Sequence, residues 1–246
     1  MNADVWLPSA PATGTTATRR LLVLPHAGSG TAAWFGWRSR LPEEVELRVA
    51  RLPGRETRLA EPPLTSAAQA LAGLTEAVRA LPPLPTVVFG HSLGALLAYG
   101  LCAATPGTAR ALVVSGEIAP GGGAQTHADL LRLPDRELAL AVNRRWGAVP
   151  PEILEQPEFL ALFLPALRGD LALVDSFPAL ADQPIDIPLL VFAGVDDALD
   201  DAGLHRWATH TKDAMHLFRH PGGHMAVLDD PAVADQVVSA CLRRLL

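Results

Sequence analysis

The sequence predicts an α/β fold in which helices flank a mostly parallel sheet of six or seven strands. Three observations support this fold. Short apolar runs alternate with longer stretches of helical periodicity, and one of these runs leads directly into a Gly-x-Ser-x-Gly turn. The chain has 246 residues and is 49% hydrophobic, which is enough for one sizeable core. Chains of roughly 200–250 residues commonly form a single α/β domain, so we predict one domain with an insertion.

Six apolar runs are the predicted strands, and four longer periodic stretches are the predicted helices. The strands cover residues 20–25, 47–52, 86–90, 111–115, 188–193 and 215–219, and the helices cover residues 65–81, 93–104, 202–209 and 232–245. Crossovers between parallel strands are almost always right-handed, and ligands bind at the carboxyl ends of such strands. We therefore expect the functional residues in the loops that follow the strands.

The alternation is interrupted once, in the long stretch between Ser115 and Pro188. A connection of that length needs secondary structure of its own. Helical patterns appear in it at residues 129–132, 135–146, 158–167 and 171–177. We predict that residues 120–183 form a helical lid over the strand ends, with a core made of residues 20–119 and 184–246. The alternative is a layer of helices elsewhere on the surface.

Residues 1–19 are predicted to be a disordered leader, because they combine prolines, a glycine and several threonines. They lack the positively charged start and apolar run of a secretory signal.

No run of about eighteen apolar residues, as a membrane helix needs, occurs in the sequence. We therefore expect a cytoplasmic protein without a membrane partner. The net charge of −6 argues against a general nucleic-acid binder.

A β-branched apolar run leads into Gly90-His91-Ser92-Leu93-Gly94, and a helical pattern of small residues follows. In this context the motif is typical of a nucleophile elbow, a tight strand-to-helix turn that exposes the serine hydroxyl above the sheet. The two glycines let strand and helix pass closely, and the serine is expected in a strained conformation. Ser92 is therefore the candidate nucleophile. The alternative is an ordinary turn in which the serine only caps the helix.

A serine nucleophile needs a base, and the base needs an acid that orients it. After a nucleophile elbow, the acid and then the histidine follow along the chain. His224, which follows two glycines after the last strand, is favoured as the base over His220, which lies at the strand end before a proline. Asp197, at the fourth position of a Gly-x-x-Asp sequence after the fifth strand, is favoured as the acid over Asp196.

The oxyanion of the reaction needs two backbone N–H donors, one of which is the amide after the nucleophile. That amide belongs to Leu93, at the start of a helix, where unpaired N–H groups favour negative charge. The second donor is expected from the loop after the first strand, whose small residues let the backbone approach a substrate, and Ala27 is the candidate. His26 lies on the same loop, and we assign it a packing or loop-fixing role.

Several sequence blocks resemble type II thioesterases, the stand-alone editing thioesterases of polyketide and nonribosomal peptide assembly lines. The blocks are Pro25-His26-Ala27-Gly28, Trp37, Leu41-Pro42, Leu52-Pro53-Gly54-Arg55-Glu56 with Arg58 and Glu61-Pro62, Gly90-His91-Ser92-Leu93-Gly94-Ala95, Leu164-Pro165-x-x-Arg168-x-Asp170 and Gly222-Gly223-His224. The Pro-Gly-Arg-Glu block is more specific than the elbow. The sequence departs from the family at Leu93, Ala198 and Met225-Ala226, where methionine, proline and aromatic residues are common.

The resemblance implies an α/β-hydrolase fold and an acyl thioester substrate on the 4′-phosphopantetheine arm of an acyl or peptidyl carrier protein. The enzyme would remove aberrant or stalled acyl groups. We expect no metal ion or redox cofactor, because a nucleophile, a base and an oxyanion hole suffice for this reaction. We also expect a monomer. Two alternatives remain: a carboxylesterase or lipase-like hydrolase of small free esters, and a non-catalytic binding protein on the same fold.

Two groups of side chains in the predicted lid are candidates for contacts with the substrate. Carrier proteins of this kind usually present an acidic helix, so arginines in the lid are candidates for docking or, alternatively, only make the lid soluble. Aromatic side chains are candidates to cover the acyl chain or, alternatively, form the core of the lid. The arginines are Arg132, Arg136, Arg144 and Arg145, and the aromatic residues are Trp146, Phe159, Phe163 and Phe177.

Overall fold

The computed structural model describes residues 3–10, 16–121, 126–177 and 183–245. Within these ranges six strands form one sheet: β1 (Arg19–Leu24), β2 (Val45–Val49), β3 (Thr86–His91), β4 (Ala111–Ser115), β5 (Leu189–Gly194) and β6 (Met215–His220). The spatial order is β2-β1-β3-β4-β5-β6, and all neighbouring strands are parallel. The six predicted strands and the parallel sheet are confirmed, with strand ends that differ by a few residues.

Helices cover both faces of the sheet and fill the long connection between β4 and β5. They are α1 (Ala3–Trp6), α2 (Ala32–Phe35), α3 (Ala67–Arg79), α4 (Leu93–Ala104), α5 (Ala128–Leu131), α6 (Asp135–Trp146), α7 (Pro151–Glu155), α8 (Pro157–Asp175), α9 (Asp201–His205), α10 (Ala226–Asp229) and α11 (Pro231–Leu245). Short 3₁₀ segments cover Gly36–Arg40, Glu56–Arg58 and Arg206–His210. None of the described helices has both the length and the apolarity needed to cross a membrane.

The central strand β3 is buried along its whole length, and its successive side chains enter two different cores. Val88 packs in the core that α3 and α4 cover, whereas Val87 and Phe89 pack in the core that α11 covers. Successive side chains of a strand point to opposite faces, and both faces of this sheet are covered by helices. This explains why β3 contains a continuous apolar run in the sequence.

The helices α5 to α8 lie in the connection between β4 and β5 and have a hydrophobic cluster of their own. Its buried members are Leu138, Ala139, Val142, Val149, Leu160, Leu164, Leu167 and Leu171. This separate cluster supports our division into core and lid, which remains a proposal. We call residues 120–183 the lid segment.

The helix α8 corrects one detail of the prediction, because it runs without a break through the gap expected between residues 158–167 and 171–177. Pro165 lacks the N–H that a helix interior uses, and Gly169 favours a break. Gly169 has a packing reason, however: a Cβ atom there would lie 2.7 Å from the Cβ of Pro63. Leucines along one face of α8 join the cluster of the lid segment, and this packing outweighs both helix-weakening residues.

The expectation of a disordered leader is wrong for residues 3–10, which pack against the core. Trp6 is buried, and a side chain at Gly73 of α3 would collide with its indole ring. The guanidinium of Arg58 lies 4.3 Å from the centre of the same ring. Burial of a tryptophan and of the neighbouring Leu7 outweighs the loop-like composition around them. Residues 1–2 and 11–15 of the predicted leader lie outside the described residues.

The N-terminal segment, as we call residues 3–10, also pairs with the outer edge of β2. The amide of Val49 donates to the carbonyl oxygen of Pro8 (3.1 Å), and the amide of Ala10 donates to that of Leu47 (2.9 Å). Ser9 forms an antiparallel bridge with Arg48. The segment therefore covers a sheet edge that would otherwise present unpaired backbone groups.

Candidate active site

The turn between β3 and α4 places Ser92 in a conformation that side chains rarely adopt, with φ 55° and ψ −125°. A Cβ atom at Gly90 would collide with the carbonyl oxygen of Gly94, and one at Gly94 would collide with that of Leu24. The glycines are therefore required for the strand and the helix to approach each other. This is the strained elbow that the motif predicts.

The side chains of His224 and Asp197 meet beside this turn, in the loops after β6 and β5. His224 Nδ1 and Asp197 Oδ2 are 2.8 Å apart, and both side chains are almost fully buried. Ser92 and His224 line the same cavity. A carboxylate beside Nδ1 holds a proton on that nitrogen, so Nε2 is left free to accept one. The structure thus brings the three candidate catalytic side chains into one place.

The two alternative residues are placed differently. His220 is buried, and its Nδ1 lies 2.9 Å from the carbonyl oxygen of Pro221, so the ring is held by its own loop. Asp196 is exposed, and its backbone amide donates to the carbonyl oxygen of Gly222 (3.1 Å). That backbone bond brings the loops after β5 and β6 together and leaves the next residue, Asp197, to face the histidine.

The amides of Ala27 and Leu93 are free to bind an oxyanion. Both residues line the cavity that contains Ser92, and neither amide donates to another residue in the described part of the chain. Adjacent amides are already engaged: that of Gly28 donates to Asp170 Oδ2 (2.7 Å) and that of Ser92 donates to the carbonyl oxygen of Ser115 (2.8 Å). The backbone therefore leaves two donors next to the candidate nucleophile.

Residues 19–245 match the thioesterase domain family. The chain belongs to the thioesterase family. Among characterised relatives, the gramicidin S biosynthesis protein GrsT of Aneurinibacillus migulanus is 31% identical over 215 residues, which cover 85% of this chain and 83% of that protein. Thioesterase PikA5 of Streptomyces venezuelae is 31% identical over 227 residues, which cover 85% of this chain and 76% of that protein.

Solved structures agree with this assignment. The type II thioesterase BorB from the borrelidin biosynthetic cluster superposes with a TM-score of 0.86 and 26% identity over 100% of both chains. The RedJ thioesterase from the prodiginine pathway of Streptomyces coelicolor gives a TM-score of 0.81 and 27% identity, also over 100% of both chains. The resemblance to type II thioesterases and the α/β-hydrolase fold are confirmed, and the protein is a serine-type thioesterase.

A buried ion pair fixes the loop that carries Ala27 in this thioesterase. The Arg55 guanidinium binds both carboxylate oxygens of Asp170 (2.8 Å each) and also donates to the carbonyl oxygen of Ser29 (2.9 Å). Asp170 also accepts the backbone amide of Gly28. The loop is therefore held by Arg55, from the Pro-Gly-Arg-Glu block, and by Asp170, from the lid segment. Sequence reasoning quoted both blocks but missed their pairing. Two opposite charges in two family motifs were the available signal.

The next residue, Glu56, supports the same loop. Its carboxylate accepts the backbone amide of Thr31 (2.6 Å) and the hydroxyl of Thr31 (2.9 Å). Glu56 itself has φ 51°, a conformation that side chains rarely adopt. The Pro-Gly-Arg-Glu block of the thioesterase is therefore a clamp on the loop after β1 rather than a source of reacting groups.

The cavity next to Ser92 has a volume of about 430 Å³. Its lining residues come from the strand ends and from the lid segment, as expected for a site that a lid covers. Of the four aromatic candidates, Trp146 and Phe177 line this cavity. Phe159 is exposed, and Phe163 packs in the cluster of the lid segment and against Gly28.

Two further histidines of the thioesterase pack close to His224. The ring of His91 lies 4.9 Å from that of His224 and 5.7 Å from that of His26. Burial lowers the pKa of His26 to about 3 and holds the pKa of His91 well below its usual value. The nearby His224 lowers both pKa values further. Both rings are therefore neutral at pH 7 and do not repel a positive charge on His224. His26 is buried and packs against the rings of Trp34 and His91, and its packing or loop-fixing role stays a prediction.

Sequence reasoning also missed Glu117, which lies just after β4 and lines the cavity. Burial is the main cause that raises the pKa of its carboxyl group to about 7. No motif contains this residue, so its position in the sheet was the only available signal. Glu117 follows β4, which lies in the sheet between β3, the strand before Ser92, and β5, the strand before Asp197.

Proposed function

We propose that this thioesterase hydrolyses acyl thioesters on the 4′-phosphopantetheine arm of acyl or peptidyl carrier proteins. It thereby removes aberrant or stalled acyl groups in polyketide or nonribosomal peptide biosynthesis. The observation that carries the proposal is the buried pair of His224 and Asp197 beside the strained Ser92, in a cavity with two free amides. The relatives support the pathway, since GrsT is named for gramicidin S biosynthesis and BorB comes from the borrelidin cluster.

In the acylation step, Ser92 Oγ attacks the thioester carbonyl carbon and transfers its proton to His224 Nε2. Asp197 keeps the imidazole in the tautomer that can accept this proton and stabilises the imidazolium that forms. The amides of Ala27 and Leu93 bind the negative oxygen, and each donor of this kind contributes roughly 3–4 kcal/mol in the transition state. The C–S bond then breaks, and the pantetheine sulfur leaves with the proton from His224.

In the deacylation step, a water molecule attacks the ester between Ser92 and the acyl group, and His224 accepts its proton. The second tetrahedral intermediate uses the same two amides. Its collapse returns the proton to Ser92 Oγ and releases the carboxylic acid. The cycle needs only the groups already described, so no metal ion or redox cofactor has a role in it.

We assign carrier docking to four arginine side chains of the lid segment. Arg132, Arg136, Arg144 and Arg145 are all exposed. Arg132 forms an ion pair with Asp129, and Arg145 stacks over the ring of Trp146 at 4.6 Å. An acidic helix on the carrier would meet these arginine side chains, whose positive charge is opposite in sign to the net charge of −6 of the chain.

The proposal is tested by comparing three substrates with one acyl group: an isobutyryl carrier protein, isobutyryl pantetheine and p-nitrophenyl isobutyrate. We expect kcat/KM to be highest for the carrier and lowest for the free ester. Hydrolysis of the free ester alone, or faster than that of either thioester, would instead identify a carboxylesterase. Binding of the acyl carrier without release of acid would identify a non-catalytic protein.

A further inference from the structure

The cavity has one apolar side and one polar side. Its apolar lining includes Leu96, Val142, Trp146, Leu171, Val174 and Phe177. Its polar lining includes two carboxylic acids, Glu117 and Asp175, but no lysine or arginine side chain among the described residues that line it. An acyl chain that was only a hydrocarbon would not need polar groups on the cavity wall, since each buried polar group costs free energy when it is unpaired.

Asp175 already has its partners. Its carboxylate accepts the backbone amide of His127 (2.9 Å) and lies 2.7 Å from Nδ1 of the same residue. The hydroxyl of Thr126 is a weaker partner at 3.4 Å. Asp175 therefore holds the start of α5 against the end of α8 beside the cavity and offers little remaining capacity for a ligand.

Glu117 differs because one of its carboxyl oxygens is free. Oε1 accepts the backbone amide of Ile118 (3.1 Å), whereas Oε2 has no partner among the described residues. The indole N–H of Trp207 donates to the backbone oxygen of Glu117 (3.0 Å) and holds the residue in place. The residue thus presents a fixed acceptor oxygen to the cavity.

The charges around Glu117 are those of His224, Asp197 and Arg145. His224 and Arg145 lower its carboxyl pKa and Asp197 raises it, but burial outweighs all three and raises the pKa to about 7. Arg145 is exposed, so water screens its charge. His224 and Arg145 therefore do not offset the effect of burial on this carboxyl group. A cationic ligand in the cavity would supply a further counter-ion.

We propose that Glu117 is a specificity-determining residue, which selects acyl groups that carry an amino group close to the thioester carbonyl. The ammonium group donates to Oε2 of Glu117, and the remaining acyl atoms contact the apolar side of the cavity. A charge-assisted hydrogen bond of this kind is roughly twice as strong as a neutral one. The inference rests on the proposed function, because it requires the acyl group to occupy this cavity.

The test uses two pairs of pantetheine thioesters whose members differ by one group: alanyl against isobutyryl, and β-alanyl against butyryl. Each pair replaces an ammonium by a methyl group at the same place. The readout is the ratio of kcat/KM, amino substrate over methyl substrate, in the wild type and in Glu117→Gln. Intrinsic reactivity of the thioesters cancels when the two ratios are compared. Glu158→Gln, which removes an exposed carboxylate of α8 outside the cavity, is the matched control.

We expect Glu117→Gln to lower this ratio about 10-fold for at least one pair, as a hydrogen bond to a charged group implies, and the control to leave it unchanged. An unchanged ratio with equal loss on both substrates would assign Glu117 to the support of His224 or of the fold, and would overturn the proposal. No loss on any substrate would overturn it as well. Wild-type protein that hydrolyses none of the four thioesters would instead refute the proposed function.

The pH dependence supplies a second readout that a structural role would not give. Glu117 becomes a carboxylate as the pH rises through about 7, while an aliphatic ammonium such as that of β-alanine stays charged. The β-alanyl to butyryl ratio of the wild type should therefore rise between pH 6 and pH 8. The same ratio should be flat in Glu117→Gln, and a parallel rise in both proteins would contradict the proposal.

Discussion

The loops after the strands and the lid segment contribute different things to the same cavity. The strand-end loops supply Ser92, Asp197 and His224 and hold them through tight turns and backbone bonds. The lid segment supplies much of the cavity wall from helices with a cluster of their own. The difference fits our proposals that the loops of the sheet carry the reacting groups, whereas the lid segment serves access and docking. Asp170 is the exception, because it belongs to the lid segment but accepts the amide of Gly28 in the loop after β1.

The strongest test of this division removes the nucleophile. Ser92→Ala should lower kcat for isobutyryl pantetheine by about 10⁴-fold or more, because the acyl enzyme can no longer form. The sheet and its loops should remain folded, since the alanine keeps the same backbone. Activity assays and thermal unfolding measure both effects, with the exposed Ser239→Ala as control. Retention of more than about a tenth of the wild-type rate would refute the role of Ser92.

The second test separates two neighbouring carboxylates in the loop after β5. Asp197→Asn should reduce kcat roughly 10³- to 10⁴-fold, since an amide favours the wrong tautomer of His224 and cannot stabilise its positive charge. Asp196→Asn removes an exposed charge and should change kcat little. If Asp196→Asn were the more damaging change in the same assay, the acid would be misassigned by one residue.

The third test breaks the link between the two regions. Arg55→Leu leaves the buried carboxylate of Asp170 without its cation, which costs about 3–5 kcal/mol of unfolding free energy. Urea denaturation measures this loss, and activity should fall because the loop with Ala27 is released. Arg132→Leu removes a fully exposed ion pair with Asp129 and should cost about 0–1 kcal/mol. Equal losses in the two variants would show that the Arg55 pair does not clamp the loop.

The smallest expected effect concerns docking on the lid segment. Arg145 stacks on Trp146, which lines the cavity, so it is left unchanged. The variant instead reverses the charges of Arg136 and Arg144, which do not line the cavity. Arg136→Glu with Arg144→Glu should raise KM for an acyl carrier protein several-fold at low salt and less at high salt, since salt screens exposed charges. Hydrolysis of isobutyryl pantetheine should not change. A matching loss on the short thioester would show that the arginines act on the fold.

Much of the core could be predicted from the sequence because its signals are local. The elbow is specified within five residues by two glycines, and the conformation of Ser92 follows from them. The inner strands were predictable because burial on both faces favours apolar residues along their length. The outer strands β2 and β6 also contain charged or polar residues. The choice of Asp197 over Asp196 also followed from a short spacing, although its catalytic role stays a prediction.

The features that were missed depend on contacts between distant parts of the chain. Arg55 and Asp170 are 115 positions apart, and their two motifs show opposite charges but not that these charges pair. Trp6 packs on α3, so the composition around it could not show that the N-terminal segment is folded. Glu117 belongs to no motif, and its importance depends on a cavity that the lid segment helps to form.

The N-terminal segment has a consequence for self-association of the protein. A parallel sheet that is not closed into a barrel has two outer strands, here β2 and β6, and either can template pairing with another molecule. The backbone of residues 8–10 occupies the edge of β2. The other outer strand carries the exposed polar side chains of His216 and Arg219. One edge is thus paired by the chain itself and the other carries hydrophilic side chains, and both features disfavour aggregation through strand-to-strand contacts between copies.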